Sequence, residues 1–308
     1  MSLGIPYMGS KRGIAKELID FMLQANPNAK YFYDLCGGGG AMSFEALKRN
    51  RFEKVFYNEL NTGVTELLRK IQSDGVTDEF YRWISREEFH KRKNENSWHG
   101  GLIKTCWSFG NDQRSYLFGE KIENTKRLLH EIVVNRCSIS KSTFENLTGL
   151  WIDDYYLQDE NIDKRRLAVM GLVKSSLGRI DLEQLEQLQR LQQLQRLQHL
   201  ERLQHLERLQ ISNMSYTDVI ITTPIEETII YLDPPYKNTQ KYAEIICHDE
   251  LINYVKNSPY KIYVSSYESD LPMVWQKYKR CTLSASHNNL VTEKLFCNRE
   301  QNTISSLF

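Results

Sequence analysis

The sequence predicts an α/β protein: a mixed sheet with helices on both faces, interrupted by a mostly helical insertion. Three observations carry this. Residues 31–49 read as strand, glycine loop, helix. The run Ile229–Leu232 reads as a buried strand that stops at Asp233-Pro234-Pro235-Tyr236. The alternation of strand and helix holds at both ends of the chain but fades between about residues 63 and 179.

The length of 308 residues allows one large core or two modest ones. No apolar run approaches the roughly 20 residues needed to span a bilayer. Residues 1–12 carry Gly, Pro, Tyr, Lys and Arg in place of an apolar signal core, so secretion is not indicated and a cytoplasmic setting is expected. The six cysteines are scattered, without a Cys-x-x-Cys pair, which suits reduced thiols and predicts no metal site. A net charge of +1 means that any nucleic-acid contact needs a local basic face.

In chain order, Pro6-Tyr7-Met8-Gly9-Ser10-Lys11-Arg12 comes first, with Ser10 as a candidate cap for a helix over 14–24. An aromatic and a lysine before a helix suit a flat ligand and an anion; a surface lysine is the plainer reading. Residues 31–35 form a strand ending in Asp34-Leu35-Cys36, and Gly37 to Gly40 open into a helix over 41–49. This arrangement lets a ligand approach backbone amides at a helix N-terminus. The glycine spacing does not match a dinucleotide fingerprint, and no Lys-Ser/Thr follows as in a phosphate loop. Residues 54–57 form a second strand, and Glu59 lies about 20 residues past the glycine loop, where a ribose hydroxyl pair is usually accepted. A helix follows over 62–72.

The middle of the chain interleaves basic, amide and aromatic residues, which suits phosphate and base-edge contacts. Lys91, Arg92, Asn111 and Arg114 are its candidate DNA contacts, while most of the aromatics are expected to form a small core. From Leu182 to Leu209 a leucine recurs every third residue, with Arg190, Arg196, Arg202 and Arg208 every sixth. Three-residue steps turn a leucine stripe by about 60° each around an α-helix, so no seam lasts more than a few turns. The tract reads as a spacer or interaction element without a catalytic role.

Strand-like residues 210–213 resume the sheet, and Ser215, Tyr216 and Asp218 after them are open alternatives for contact with a flat ring. Proline cannot donate to a sheet ladder, so Pro234 and Pro235 lie beyond the strand's carboxyl end, where α/β sheets bind ligands. An amine conjugated to an aromatic base is a poor nucleophile because its lone pair is delocalised. The Asp233 carboxylate and the Pro234 carbonyl could accept its two hydrogens and aim the lone pair outward, with the Tyr236 ring stacked on the base. Residues 237–242 read as a polar loop able to close over a substrate. A helix over 249–256, a strand over 261–265, a helix over 274–278 and closing strands over 281–285 and 294–297 complete the chain.

Four of these stretches together resemble the alpha-class DNA adenine methyltransferases: residues 6–11, the Asp-Leu-Cys-Gly-Gly-Gly-Gly of 34–40, the Asn-Glu-Leu-Asn of 58–61 and the Asp-Pro-Pro-Tyr of 233–236, in the family's order. The resemblance covers roughly 4–62 and 211–300. It implies a Rossmann-like S-adenosylmethionine methyltransferase domain in two parts, 1–62 and 211–308, and a target-recognition domain over 63–180; it does not cover the leucine repeat, which reads as a separate insert over 181–210. It implies S-adenosylmethionine as cofactor, S-adenosylhomocysteine as product, and no metal. Asp34 and Gly38, Gly39 and Gly40 would border the methionine part, and Glu59 would accept the ribose hydroxyls. Tyr7 and Lys11 would line the cofactor pocket, with Lys11 able to reach target bases. Tyr216 or Asp218 would sit by the cofactor's adenine. Asp233, Pro234, Pro235 and Tyr236 would hold the target adenine, with Asp233 also bordering the cofactor. Cys36 stands where the family usually has Phe, Tyr7 where Trp is common, and Ser215 at an often acidic position.

The expected reaction is methyl transfer to the exocyclic amine of adenine flipped out of duplex DNA. The alternatives are the exocyclic amine of cytosine, a base in RNA, a DNA-binding relative without chemistry, and a nicotinamide oxidoreductase, which the glycine spacing disfavours. Double-stranded DNA is the expected partner, a cognate restriction enzyme an optional one. A monomer or weak dimer, without a membrane, is the expected state.

Overall fold

The computed structural model describes residues 4–175, 191–203, 205–235, 247–284 and 287–299. They form two compact units. The first comprises Gly9–Leu68 and Leu203–Phe308, and the second Arg69–Arg202 together with Ile5–Met8.

The first unit is built on seven strands: β1 (Tyr31–Asp34), β2 (Lys54–Asn58), β3 (Leu209–Ser212), β4 (Thr228–Leu232), β5 (Lys261–Ser266), β6 (Met273–Ser284) and β7 (His287–Cys297). Their order across the sheet is β3-β2-β1-β4-β5-β7-β6. Strands β1 to β5 pair in parallel, and β7 pairs antiparallel with both β5 and β6. The sheet is therefore mixed, and the order reverses between β1 and β4.

Strand residues alternate between faces, and each face has its own cover. Tyr33, Leu35, Ile230, Leu232, Ile262 and Val264 pack with Leu251 and Val255 of the helix His248–Asn257. On the opposite face, Phe32 stacks on Tyr231, and Tyr263 meets Phe21 of α1 (Ala15–Ala25) edge-on. Helix α2 (Ala41–Lys48) follows the glycine loop, and α3 (Thr62–Asp74) follows β2.

Two local expectations change. The segment 274–278, read as a helix, is the start of β6, and its backbone pairs with β7 from Met273 to Ser284. Its mixed Lys, Gln and aromatic residues carry no strong period, so the long hairpin partner decides the conformation. Ser10 does not cap the first helix: Lys11–Gly13 form a 3₁₀ turn instead, and α1 starts at Ala15 after Ile14.

The second unit is helical: α4 (Arg86–Arg92), α5 (Trp98–Cys106), α6 (Glu120–Asn135), α7 (Ser138–Thr148), α8 (Ile162–Ser175) and α9 (Gln192–Glu201). The helix His248–Asn257 of the first unit is then α10. Trp83, Trp107, Phe118 and His130 form an aromatic cluster inside the second unit, with the Trp83 and Phe118 rings parallel at 5.7 Å. Among the described residues no helix is long and apolar enough to cross a membrane.

The described part of the leucine repeat is part of the fold. Leu191, Leu194, Leu197 and Leu200 are fully buried in the second unit, as is Gln193. A helix buried around much of its circumference tolerates the 60° drift, and α9 ends before the drift comes full circle. Arg196 donates to the carbonyls of Cys106 and Ser108, at the end of α5. Twelve positions on, Arg208 donates to the carbonyls of Leu47 and Phe52 and to Asn50, at the end of α2 in the first unit. In both cases a guanidinium reaches one carbonyl in the last turn of a helix, Cys106 or Leu47, and one in the segment that follows it, Ser108 or Phe52. Residues 182–190 and 204 of the repeat lie outside the described residues.

Candidate active site

Strand order reverses between β1 and β4, and a doubly wound sheet opens a crevice at the carboxyl ends of such a pair. Asp34 ends β1 and pairs in register with Tyr231 of β4, and Asp233 follows β4 directly. The chain thus brings two carboxylates to the switch point.

Asp34 is 1% exposed. Its Oδ2 accepts from Ser43 Oγ of α2 at 2.7 Å, while its Oδ1 is buried without a hydrogen-bond partner. Burial pushes its carboxyl up to about 7, against the pull of the Ser43 bond, and the negative charges of Asp233 and Glu59 add to the rise. An orphaned buried acceptor among carboxylates suits a cationic donor.

The glycine loop is shaped by close contacts. Gly40 has φ 72° and caps α2 in the left-handed region, and Gly38 has φ 49°. A Cβ on Gly37 would lie 2.2 Å from the Tyr57 ring, whose hydroxyl donates to the Gly38 carbonyl at 2.6 Å. Glu59 accepts from the amides of Gly38 at 2.7 Å and Asn61 at 2.9 Å. It is therefore anchored at the loop, directly after β2, the strand next to β1. Asn58 bridges the carbonyls of Leu35 and Met214, so it ties the end of β1 to the segment after β3.

Of the three alternatives after β3, Tyr216 packs against the core edge-on to Tyr254, with centroids 5.2 Å apart. Burial raises the Tyr216 phenol, and Cys36 lies close enough to contribute. Asp218 is exposed, and Ser215 bonds Thr217.

Lys11 is not the surface lysine of the plainer reading. It is 4% exposed, with Nζ 3.0 Å from Asp233 Oδ1 and 3.6 Å from Glu293 Oε2. Burial alone would lower its ammonium, but Asp233, the Tyr231 phenol and Glu293 outweigh it and hold the group above the usual lysine range. Pro234 is buried and Pro235 half-buried behind Asp233. Tyr236 and the loop 237–242 lie outside the described residues. Tyr7 is half-buried in the segment Ile5–Met8 that groups with the second unit.

The remaining candidates are in the second unit. Asn111 and Arg114 lie in the loop between the bridged residues Ser108 and Tyr116. Asp112 Oδ1 accepts from the amides of Arg114 and Ser115, and Gly110, Asn111 and Gln113 all have φ near 60°. The Asn111 Oδ1 is buried and unpartnered, and Phe109 beside it is 64% exposed. Lys91 is exposed on α4, whereas Arg92 is engaged with Glu88 and Glu95.

Sequence reading missed Ser43, Asn58, Tyr57 and Glu293. Asn58 sits inside a quoted motif and Ser43 three positions into the helix after the loop, so both were within reach. Glu293 carries no local signal.

The site fits a group that is cationic and partly flat. It offers an unpartnered carboxylate oxygen, three acidic side chains around the loop, backbone that a Cβ would fill, and a tyrosine at its edge.

A family model described as D12 class N6 adenine-specific DNA methyltransferase matches residues 7–149 and 186–281. No curated protein matches the chain. Among solved structures, HI0767 from Haemophilus influenzae, a candidate methylase, is 13% identical over 96% of this chain and 92% of that one, with a TM-score of 0.31. SMU.472, a candidate methyltransferase complexed with SAH, is 11% identical over 94% of this chain, with a TM-score of 0.33. The chain spans about half of that protein, 52% of its length.

Proposed function

The chain belongs to the D12 class N6 adenine-specific DNA methyltransferase family, and from that premise we propose which of its residues carry methyl transfer from S-adenosylmethionine to adenine in duplex DNA. The observation that carries the proposal is the placing of Asp34 and Asp233 at the carboxyl ends of β1 and β4, where strand order reverses.

Asp34 Oδ1 would take the ammonium of the cofactor's methionine part, which satisfies its open valence. The amides and carbonyls of Gly38, Gly39 and Gly40 would border the same part. Glu59, held by the Gly38 and Asn61 amides, would turn its remaining acceptor capacity to the ribose hydroxyls. Tyr216 would flank the adenine, and Tyr7 and Lys11 would line the pocket. When bound, the cofactor supplies a methyl group on a positively charged sulfur.

Asp233 and the Pro234 carbonyl hold the two hydrogens of the target amine, so that its lone pair is no longer shared with the ring. Pro234 and Pro235 stiffen that turn by fixing φ. The carboxylate also stabilises the positive charge that develops on the amine nitrogen, and accepts the proton the nitrogen sheds. Tyr236 is the stacking ring of the family motif. The target atom cannot be reached inside the helix, so the base is extruded.

Lys91, Asn111 and Arg114 contribute DNA contacts from the second unit, and Arg92 contributes less because its guanidinium is already paired. The protein acts as a monomer or weak dimer in the cytoplasm, with a cognate restriction enzyme as an optional partner.

The test is transfer of label from S-adenosylmethionine to unmethylated duplex DNA, followed by digestion and identification of the base. Label in 6-methyladenine is expected. Label in 4-methylcytosine, or in RNA alone, would overturn the assignment of the amine.

A further inference from the structure

We propose that Glu293 is a positioning residue for methyl transfer: it takes up the Lys11 ammonium when the target amine engages Asp233. The inference rests on the reading of Asp233 as the amine's acceptor.

The Lys11 ammonium lies between two carboxylates, at 3.0 Å from Asp233 Oδ1 and 3.6 Å from Glu293 Oε2. Lys11 is 4% exposed and Glu293 9%. Glu293 stands on β7 opposite Lys277 of β6, but the Lys277 ammonium is paired with Glu17 of α1. Among the described residues, the ion-pair partner of Glu293 is therefore Lys11. The Tyr231 hydroxyl, also in the surroundings of Lys11, is engaged with Ser265 Oγ at 2.7 Å.

An oxygen that already accepts from an ammonium is a weaker acceptor for an aromatic amine. An ammonium beside a nitrogen that is gaining positive charge also raises the barrier. Lys11 cannot simply withdraw, because a buried cation that loses its carboxylate is strongly unfavourable. Glu293 removes that difficulty. Its carboxylate is already within ion-pair distance of the same nitrogen, so a small torsional shift of the lysine chain transfers the ammonium from one acid to the other. Asp233 Oδ1 then no longer accepts from the ammonium while it holds the amine. The trio of two carboxylates and one ammonium keeps a net negative charge beside the developing cation. With glutamine at 293 that charge is lost and Lys11 stays on Asp233.

The experiment is single-turnover methyl transfer at saturating S-adenosylmethionine and duplex DNA, with cofactor affinity measured in parallel. The variants are Glu293→Gln, Glu293→Asp, Lys11→Met, the double variant Lys11→Met with Glu293→Gln, and Asp233→Asn. Glu293→Gln is expected to slow the transfer step about tenfold or more, with cofactor affinity within about twofold of the parent. Glu293→Asp should recover part of the rate. In the Lys11→Met background the glutamine should cost nothing further, because Glu293 acts through the lysine. A merely structural role would lower both backgrounds alike, and that result overturns the proposal. A parental rate in Glu293→Gln with Asp233→Asn inactive overturns it while leaving the role of Asp233 standing. A parental rate in Asp233→Asn overturns the reading on which it rests.

Discussion

Lys11 Nζ lies 3.0 Å from Asp233 Oδ1, so the turn before the first helix is paired with the carboxylate at the end of the central strand β4. The two residues are 222 positions apart in the chain (233 − 11), and their meeting joins the two parts of the sheet domain at its switch point. Breaking a buried pair leaves an uncompensated charge, at a cost of about 3–5 kcal/mol. Asp233 is 20% exposed, and water can recover part of that. Lys11→Met is therefore expected to lower the stability of the first unit by about 2–3 kcal/mol, read by chemical denaturation. An unchanged midpoint would show that the pair contributes nothing.

Asp34 links cofactor binding to pH. Its folded-state pKa is raised from 3.8 to about 7, so the folded protein without ligand holds a proton there that the unfolded chain has lost. A cationic donor at Oδ1 favours the ionised form. Cofactor affinity should rise with pH up to about 7 and level off above it, with a proton released on binding below that pH. Asp34→Asn should bind weakly and lose most of that slope. Calorimetry in buffers of different ionisation enthalpy measures the proton directly.

The two units should respond to pH in opposite directions. As Asp34 is protonated in the folded state and ionised in the unfolded state, its contribution to stability falls as pH rises from about 4 to about 7. His130 is the reverse case. Burial lowers its folded pKa from 6.5 to about 4, opposed by its bond to the Tyr81 carbonyl. It stays neutral when folded while the unfolded imidazole is charged, so stability is lost as pH falls from about 6.5 to about 4. Hydrogen exchange should find the amides of α6 less protected at pH 4.5 than at pH 6.5 after correction for intrinsic rates. Replacing His130 with a neutral residue that keeps the fold should flatten that difference.

A methyl group at position 37 should damage the cofactor site. Its Cβ would meet the Tyr57 ring at 2.2 Å, and Tyr57 in turn donates to the Gly38 carbonyl. Gly37→Ala is expected to cost about 1–3 kcal/mol in stability through overpacking and to weaken S-adenosylhomocysteine binding more than it weakens DNA binding. Equal losses in both would mean general unfolding.

Arg196 and Arg208 hold equivalent places in the repeat but serve different units. Arg208→Ala should destabilise the first unit by about 1–3 kcal/mol, because it removes the guanidinium from three acceptors at and just after the end of α2. Arg196→Ala releases the carbonyls of Cys106 and Ser108, which found the loop bearing Asn111 and Arg114. It should weaken DNA binding with cofactor affinity unchanged. Filter binding and calorimetry on the same two variants separate these outcomes.

What was legible in the sequence was local. Gly37 to Gly40 and the two prolines after Asp233 announce chain reversals at strand ends, because few other residues tolerate them. Asp34 and Asp233 could be placed on the strength of those signals. The pairing of Lys11 with Asp233 and Glu293 could not be read, because it depends on which strands become neighbours and β7 arrives last. The segment 274–278 lacked a clear period, and only its antiparallel partner makes it a strand. The burial of the repeat was not legible for a related reason: spacing alone describes an isolated helix, whereas Leu191, Leu194, Leu197 and Leu200 are enclosed by the unit they enter.

The most direct test of the account compares Asp233→Ala with the parent, measuring methyl transfer to duplex DNA and S-adenosylhomocysteine affinity in the same preparation. The account predicts that transfer is abolished while the dissociation constant changes by no more than about threefold. Transfer at the parental rate in that variant would contradict the central claim that Asp233 holds the target amine.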